Sequence, residues 1–201
     1  MRHWKSQHIF IALGFISIQS PTFALNITEQ KYHNVDFATV EISEDDGLQL
    51  FWKQPNQEPA YRSFNGLIKT LSKQNKNLIF AINSGIFGQD QSPLGWHVED
   101  GIRLQALNQV TRKDAKGNFS LIPNGVFFID QTGRHHVLET EAFLKDQKKY
   151  NATYATQSGP MLIINGKLHP KFFASSDSLK YRSGVCVKDR QTYFVVTQNP
   201  I

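Results

Sequence analysis

Asn83, Gly85, Asn124, Ser158, Gly159, Pro160 and Arg182 are the residues whose types could do chemistry, and each stands at the edge of an apolar run. Arg182 sits among small residues in Tyr181-Arg182-Ser183-Gly184, just before Val185-Cys186-Val187. A guanidinium presents a planar fork of donors, which suits a phosphate or carboxylate gripped by two hydrogen bonds. The same position also suits an ordinary surface ion pair. Asn83 ends the run Leu78-Ile79-Phe80-Ala81-Ile82, and its amide can donate and accept at once. It could hold a polar ligand or merely cap its own turn. Gly85 and Gly88 follow and would allow close backbone approach. Asn124, in Pro123-Asn124-Gly125 before Val126-Phe127-Phe128-Ile129, repeats the arrangement.

Ser158 lies in Thr156-Gln157-Ser158-Gly159-Pro160, ahead of Met161-Leu162-Ile163-Ile164. It lacks the flanking glycines of a nucleophile elbow, and no ordered His and Asp partners accompany it, which argues against covalent serine catalysis. His97 and Glu99 would share one strand face, as an acid/base or ligand pair or as the wet side of a sheet. His135 and His136 would point to opposite faces and cannot jointly hold a metal. The pair Asp45-Asp46 reads as a solvated turn. Walker-type, dinucleotide, zinc-spacing and HExxH patterns are missing from the sequence, so neither a cofactor nor a metal is expected.

The elements that must position these residues follow from periodicity. Leu78–Ile82 and Met161–Ile164, like Val126–Ile129, are expected as strands buried on both faces. Val35–Ile42 and Leu48–Trp52 are expected to pair as a hairpin through Glu44-Asp45-Asp46-Gly47. Asp100-Gly101, Asn165-Gly166 and Lys188-Asp189-Arg190 mark further turns. Phe64, Leu67, Ile68 and Leu71 recur at helical spacing, giving a helix over 63–76 capped by Ser63. A second helix is expected over 140–150 with Thr140 as its cap. The fold class is α+β: a twisted, largely antiparallel sheet with two flanking helices, in a single domain.

With 201 residues, 40% of them apolar and 12% aromatic, the chain is expected to bury a real core. Residues 1–24 read as a signal peptide: Arg2 and Lys5 open it, Ile9–Ile18 is too short to span a bilayer, and Thr22-Phe23-Ala24 resembles a cleavage site. An uncleaved anchor is the alternative. Losing Arg2 and Lys5 lowers the formal charge by two, from +5, without leaving a long basic block. Nucleic acid is therefore not an expected partner. The single cysteine, Cys186, closes no bridge within the chain and reads as a small buried residue. Export, to the periplasm or outside the cell, is the expected destination, with no stable membrane insertion after cleavage.

In order along the chain, FAINSGIF (80–87), Pro93-Leu94-Gly95, Glu99-Asp100-Gly101, GNF (117–119), PNGVFF (123–128), QSGPMLIINGK (157–167) and YRSGVCV (181–187) resemble the phosphodiester glycosidase family. That family includes the lysosomal uncovering enzyme domain and exported bacterial proteins. The resemblance covers the mature chain, 25–201, from the first predicted hairpin onward. It implies a hydrolase of glycosyl–phosphate bonds acting on a sugar phosphodiester or phosphoglycan. It marks Arg182, Asn83 and Ser158 as catalytic positions and Gly85, Asn124, Gly159 and Pro160 as substrate-binding ones. Family members continue past the last hairpin into a Leu-Asp-Gly motif at the cleft, whereas this sequence stops at Ile201 and is expected to lack that last segment. A non-catalytic envelope module that binds glycan or phosphoglycan is the alternative reading.

Overall fold

The computed structural model describes residues 25–53, 60–109, 119–172 and 179–201, and the backbone of 13–15. The expected leader therefore lies outside the described residues apart from that short backbone segment, as do Gly117 and Asn118 of the GNF step. The strands are β1 (Leu13–Phe15), β2 (Asn26–Tyr32), β3 (Val35–Ser43), β4 (Leu48–Leu50), β5 (His97–Glu99), β6 (Ile102–Gln105), β7 (Gly125–Asp130), β8 (His135–Glu139), β9 (Ala152–Ser158), β10 (Ile163–Ile164), β11 (Lys167–Leu168), β12 (Ser183–Lys188) and β13 (Gln191–Thr197). The helices are α1 (Phe64–Lys73) and α2 (Thr140–Asp146), the latter followed by a 3-10 turn at Gln147–Lys149. Every pairing between these strands is antiparallel. The α+β expectation holds, with its strands divided between two main sheets: β12-β13-β3-β2 and β6-β5-β9-β7-β8.

β7 explains how the two sheets are held. Phe127 and Ile129 point into a core shared with Val40, Ile42, Leu48, Leu50, Ile82 and Phe194, while Val126 and Phe128 point the other way, against Trp96, Val98, Ala155 and Phe143 of α2. A strand covered on both faces has no polar alternation, which is why its sequence reads as one apolar run. His135 on β8 spans the sheets to the Thr192 hydroxyl on β13 at 2.7 Å, and burial pushes its pKa below the usual histidine value. α1 presses Leu67 and Leu71 onto Tyr61, and the Ser63 hydroxyl caps it by accepting from Gly66 N at 3.2 Å. Among the described residues no helix is long and apolar enough to cross a membrane.

Several local expectations change. β3 and β4 do not form a hairpin: β3 lies between β2 and β13, and β4 pairs with β1. Ser43 N donates to Asp46 Oδ2 at 2.7 Å, and Gly47 takes φ +68°, so the acidic turn takes the chain out of the four-stranded sheet into the separate β1–β4 pair. Leu78–Ile82 joins no ladder, and Ile79 is 45% exposed. Its residues serve two cores instead: Leu78 and Ala81 pack with α1, and Phe80 and Ile82 pack between the sheets. Met161–Ile164 contributes only the two residues of β10, with Leu162 and Ile163 exposed. The cap of α2 is Glu139, without a side-chain hydrogen bond, because the Thr140 hydroxyl donates to Asn124 O instead. Cys186 is exposed on β12, not buried.

The β7–β8 turn carries a pH-sensitive group. Asp130 accepts from Thr132 N, Thr132 Oγ1 and Arg134 N through Oδ1, and its Oδ2 lies 2.8 Å from His136 Nε2. Burial raises its pKa, but these hydrogen bonds outweigh that and bring it from 3.8 down to about 2. A depressed carboxylate stabilises the fold above its unfolded pKa and loses that contribution as pH falls through its folded one. Urea titrations between pH 5 and 2 should show stability falling toward about pH 2, with a shallower fall in Asp130→Asn.

Candidate functional site

Four polar breaks, far apart in sequence, close into a ring of contacts. The Ser183 hydroxyl, one residue after Arg182, donates to Asn83 Oδ1 at 2.8 Å. Two residues on, Gly85 lies against β9 so closely that a Cβ there would stand 2.5 Å from Gln157 O and would strike the Thr156 hydroxyl. Past the end of β9, a side chain at Gly159 would land on the Asn124 carboxamide, and Ser158 is the register partner of Gly125. Met161 N then donates to Pro123 O at 2.9 Å, and Leu162 comes within 3.5 Å of the Cβ position of Gly184, which returns the ring to β12. Glycine at 85 and 159 is thus required by close approach, not by turn geometry.

Each expected residue has its place on this ring. Arg182 is exposed, and its backbone is fixed to the end of β13: its N–H donates to Thr197 Oγ1 and its carbonyl accepts from Thr197 N, both at 2.9 Å. Asn83 is half-buried, Ser158 is exposed at the tip of β9, and Pro160 is half-buried. Asn124 is 5% exposed. Its carbonyl accepts from both the N–H and the hydroxyl of Thr140 at 2.9 Å, and its Nδ2 donates to Phe119 O at 3.4 Å. Its Oδ1 is buried and has no hydrogen-bond partner among the described residues. An unpaired buried acceptor costs about 1–3 kcal/mol.

Gln157 is a residue that the sequence reading passed over. It is 1% exposed and uses its whole carboxamide. Oε1 accepts from Trp96 N at 3.1 Å and Asn108 N at 2.8 Å, while Nε2 donates to Asn108 O at 2.9 Å and Thr140 Oγ1 at 3.2 Å. Through Thr140 the network reaches Asn124. A signal was present: in a strand over 152–158, Gln157 shares a face with Ala155, which lies in the apolar core beneath α2.

His97 and Glu99 do share a face, with Nε2 and Oε1 2.7 Å apart, but His97 is fully buried and that face is not the wet side of the sheet. His97 is the register partner of Thr156, which packs against Gly85, so it underlies one wall of the ring. Its ring meets Trp52 edge-on at 6.2 Å, and His97 Nδ1, Trp52 Nε1 and Ser84 Oγ are all buried without partners among the described residues. His135 and His136 lie on opposite faces of β8, as expected: His135 faces Thr192 and Phe127, whereas His136 stacks on Phe128. The described residues hold no group of three or more His, Cys, Asp or Glu arranged for a metal ion.

The loop leading out of the ring is self-braced. Gly88 N donates to Ser92 O at 2.8 Å and Leu94 N to Ile86 O at 2.9 Å. Asp90 accepts from the Ser92 hydroxyl and N–H, which hold its carboxyl below the usual range. At the other end of β9, Tyr154 donates its hydroxyl to Asp100, and burial together with that carboxylate raises the phenol above its ordinary value. The Asp100-Gly101 turn is thereby tied to the strand that carries Ser158.

The model of the phosphodiester glycosidase family matches residues 76–200, more than half of the chain and all of the ring. The chain belongs to that family. A relative in Escherichia coli (strain K12), named "Uncharacterized protein YigE", is 32% identical over 154 residues, which are 75% of this chain and 56% of the relative. The chain thus spans about half the length of that relative.

Gln157→Leu keeps the volume but strands the N–H groups of Trp96 and Asn108, each costing about 1–3 kcal/mol when buried and unpaired. Chemical denaturation should register a loss of at least about 2 kcal/mol, accompanied by faster amide exchange at Asn124 and Ser158.

Proposed function

We propose that the ring around Asn83, Asn124, Ser158 and Arg182 hydrolyses the glycosyl–phosphate bond of a sugar phosphodiester. The observation that carries this reading is the 2.8 Å hydrogen bond from Ser183 to Asn83, which sets the Arg182 segment beside the amide end of the ring. Arg182 clamps the phosphate through its paired donors, aided by backbone N–H groups near Ser158 and Gly159 where the chain leaves β9. Asn83 and the unpaired Oδ1 of Asn124 bind sugar hydroxyls or orient the attacking water. Gly85, Gly159 and Pro160 let the backbone come close to the substrate.

Water attacks the anomeric carbon, the bond from that carbon to the phosphate oxygen breaks, and the bonding pair leaves with the phosphate monoester. The proton lost by the water passes to solvent or to the departing phosphate. Because that leaving group is already a weak base, the protein's main task is to hold its negative charge while the sugar carbon becomes oxocarbenium-like. Membership of the phosphodiester glycosidase family supports the reaction class.

Purified protein incubated with a nitrophenyl or UDP-linked sugar phosphodiester should release free sugar. Arg182→Ala should lower turnover by at least about 100-fold, the scale of losing a charge-stabilising donor. Its melting temperature should stay near wild type, because the side chain is exposed. Calorimetric binding without sugar release would favour the glycan- or phosphoglycan-binding module.

The protein is also proposed to be exported, on the strength of the basic start, the short apolar run and the Thr22-Phe23-Ala24 site. Intact mass of the cell-derived protein should correspond to a chain beginning at Leu25; a mass retaining Met1–Ala24 would refute cleavage there.

A further inference from the structure

A second surface lies beside the ring and meets the proposed chemistry only at Arg182. β10 and β11 pair only with each other among the described strands, through the Asn165-Gly166 turn, and form a small hairpin of their own. Ile163 and Leu168 are direct cross-strand partners, so they share one face, and both are more than half exposed. Leu162, Leu179 and Tyr181 are exposed to a similar degree. Leu162 reaches the Cβ position of Gly184 in β12, the strand into which the Leu179–Arg182 segment leads.

The hairpin is rigidly rooted. His169 is 1% exposed; its Nδ1 accepts from Lys171 N at 3.2 Å, so Nε2 carries the proton and donates to Ile122 O, also at 3.2 Å. His169 N donates to Leu162 O at 2.9 Å. Exposed apolar side chains on a floppy tip would signify little, whereas a braced hairpin presents them as one surface.

Among its described residues the charge is of one sign: from Ser158 to Phe172 and from Leu179 to Gly184 none is acidic, while Lys167, Lys171, Lys180 and Arg182 are all exposed; Asp177, between the two stretches, lies outside the described residues. Aliphatic side chains, one tyrosine and lysines with long apolar stems match a partner that is anionic at its face and hydrocarbon beneath it. A folded protein partner would offer acidic side chains at fixed points. The bilayer interface instead offers negative charge everywhere and takes up apolar groups wherever they fall.

We propose that the lip formed by the β10–β11 hairpin and the Leu179–Arg182 segment docks onto a lipid surface bearing anionic headgroups. It rests in the interface and does not span the membrane. Docking places the neighbouring ring within reach of phosphate esters carried at that surface, but the proposal does not depend on the hydrolytic reading.

The test is partition of the purified protein onto vesicles of phosphatidylcholine alone or with 30% phosphatidylglycerol, at low and high salt. Partition should favour the anionic vesicles and weaken with salt. Ile163→Asp/Leu168→Asp should reduce it by at least about tenfold, and Lys167→Gln by about fivefold, the effect of one basic residue near a charged membrane. Ile102→Asp alters an equally exposed residue near the opposite end of β9 and should leave partition unchanged. Sugar release from a soluble phosphodiester should survive in all three variants, which separates docking from chemistry. The proposal is overturned if wild-type protein ignores the anionic lipid, or if Ile163→Asp/Leu168→Asp partitions as well as Ile102→Asp while its circular dichroism matches wild type.

Discussion

The site depends on one buried carboxamide. Gln157 has two donor and two acceptor positions to fill and fills all four, on three separate stretches of chain: Trp96, Asn108 and Thr140. A buried amide is tolerated only when satisfied in this way, so the network selects one register for β9 against its neighbours. Sliding β9 by one residue would turn Gln157 toward the apolar core between the sheets and bring Thr156 into its place. The tip of β9, with Ser158 and Gly159, is fixed by that requirement, and so is Asn124, because Thr140 bonds to both Gln157 and Asn124.

Around this point the structure separates satisfied from unsatisfied polarity. The groups that hold elements together are paired: His135 with Thr192 across the sheets, Asp130 with its turn, Arg190 with Glu44 at the β12–β13 end. The buried atoms without partners among the described residues include Asn124 Oδ1, Ser84 Oγ and His97 Nδ1, which lie on the ring or on the strand directly beneath it. Folding a domain around unpaired acceptors sacrifices stability, and such groups concentrate where a site has to be ready for another molecule.

Much of this was legible in the sequence, for reasons that can be named. The β7 run Val126–Ile129 announced a strand covered on both faces, Ser63 announced the start of α1, glycine turns announced the hairpins β5–β6 and β10–β11, and Lys188-Asp189-Arg190 announced β12–β13. The same logic failed at Leu78–Ile82, because an apolar run reports burial and not pairing: its residues divide between two cores without entering a ladder. It failed again at the acidic turn after β3, where sequence proximity suggested a hairpin and the chain instead changes sheets. Gln157 stayed hidden because a glutamine beside Ser-Gly-Pro looks like part of a loop, and only its partners, as many as 61 residues away, show it to be core.

The residues named on the ring suit the proposed chemistry. Breaking a bond between two sugars needs an acid to protonate a strongly basic alkoxide, and that demand is normally met by carboxyl groups tuned through burial. The ring positions named here are amides, a hydroxyl, glycines, a proline and a guanidinium, none of which is a proton source near neutral pH. They are suited to a substrate whose leaving group departs as an anion already stabilised by phosphorus. For such a substrate, catalysis rests on where fixed dipoles and one cation stand when charge develops, so tenths of an ångström matter more than pKa values. Bare glycine backbone at 85 and 159, locked to neighbouring strands by close approach, supplies that kind of placement, which accounts for a site built on packing and amide networks.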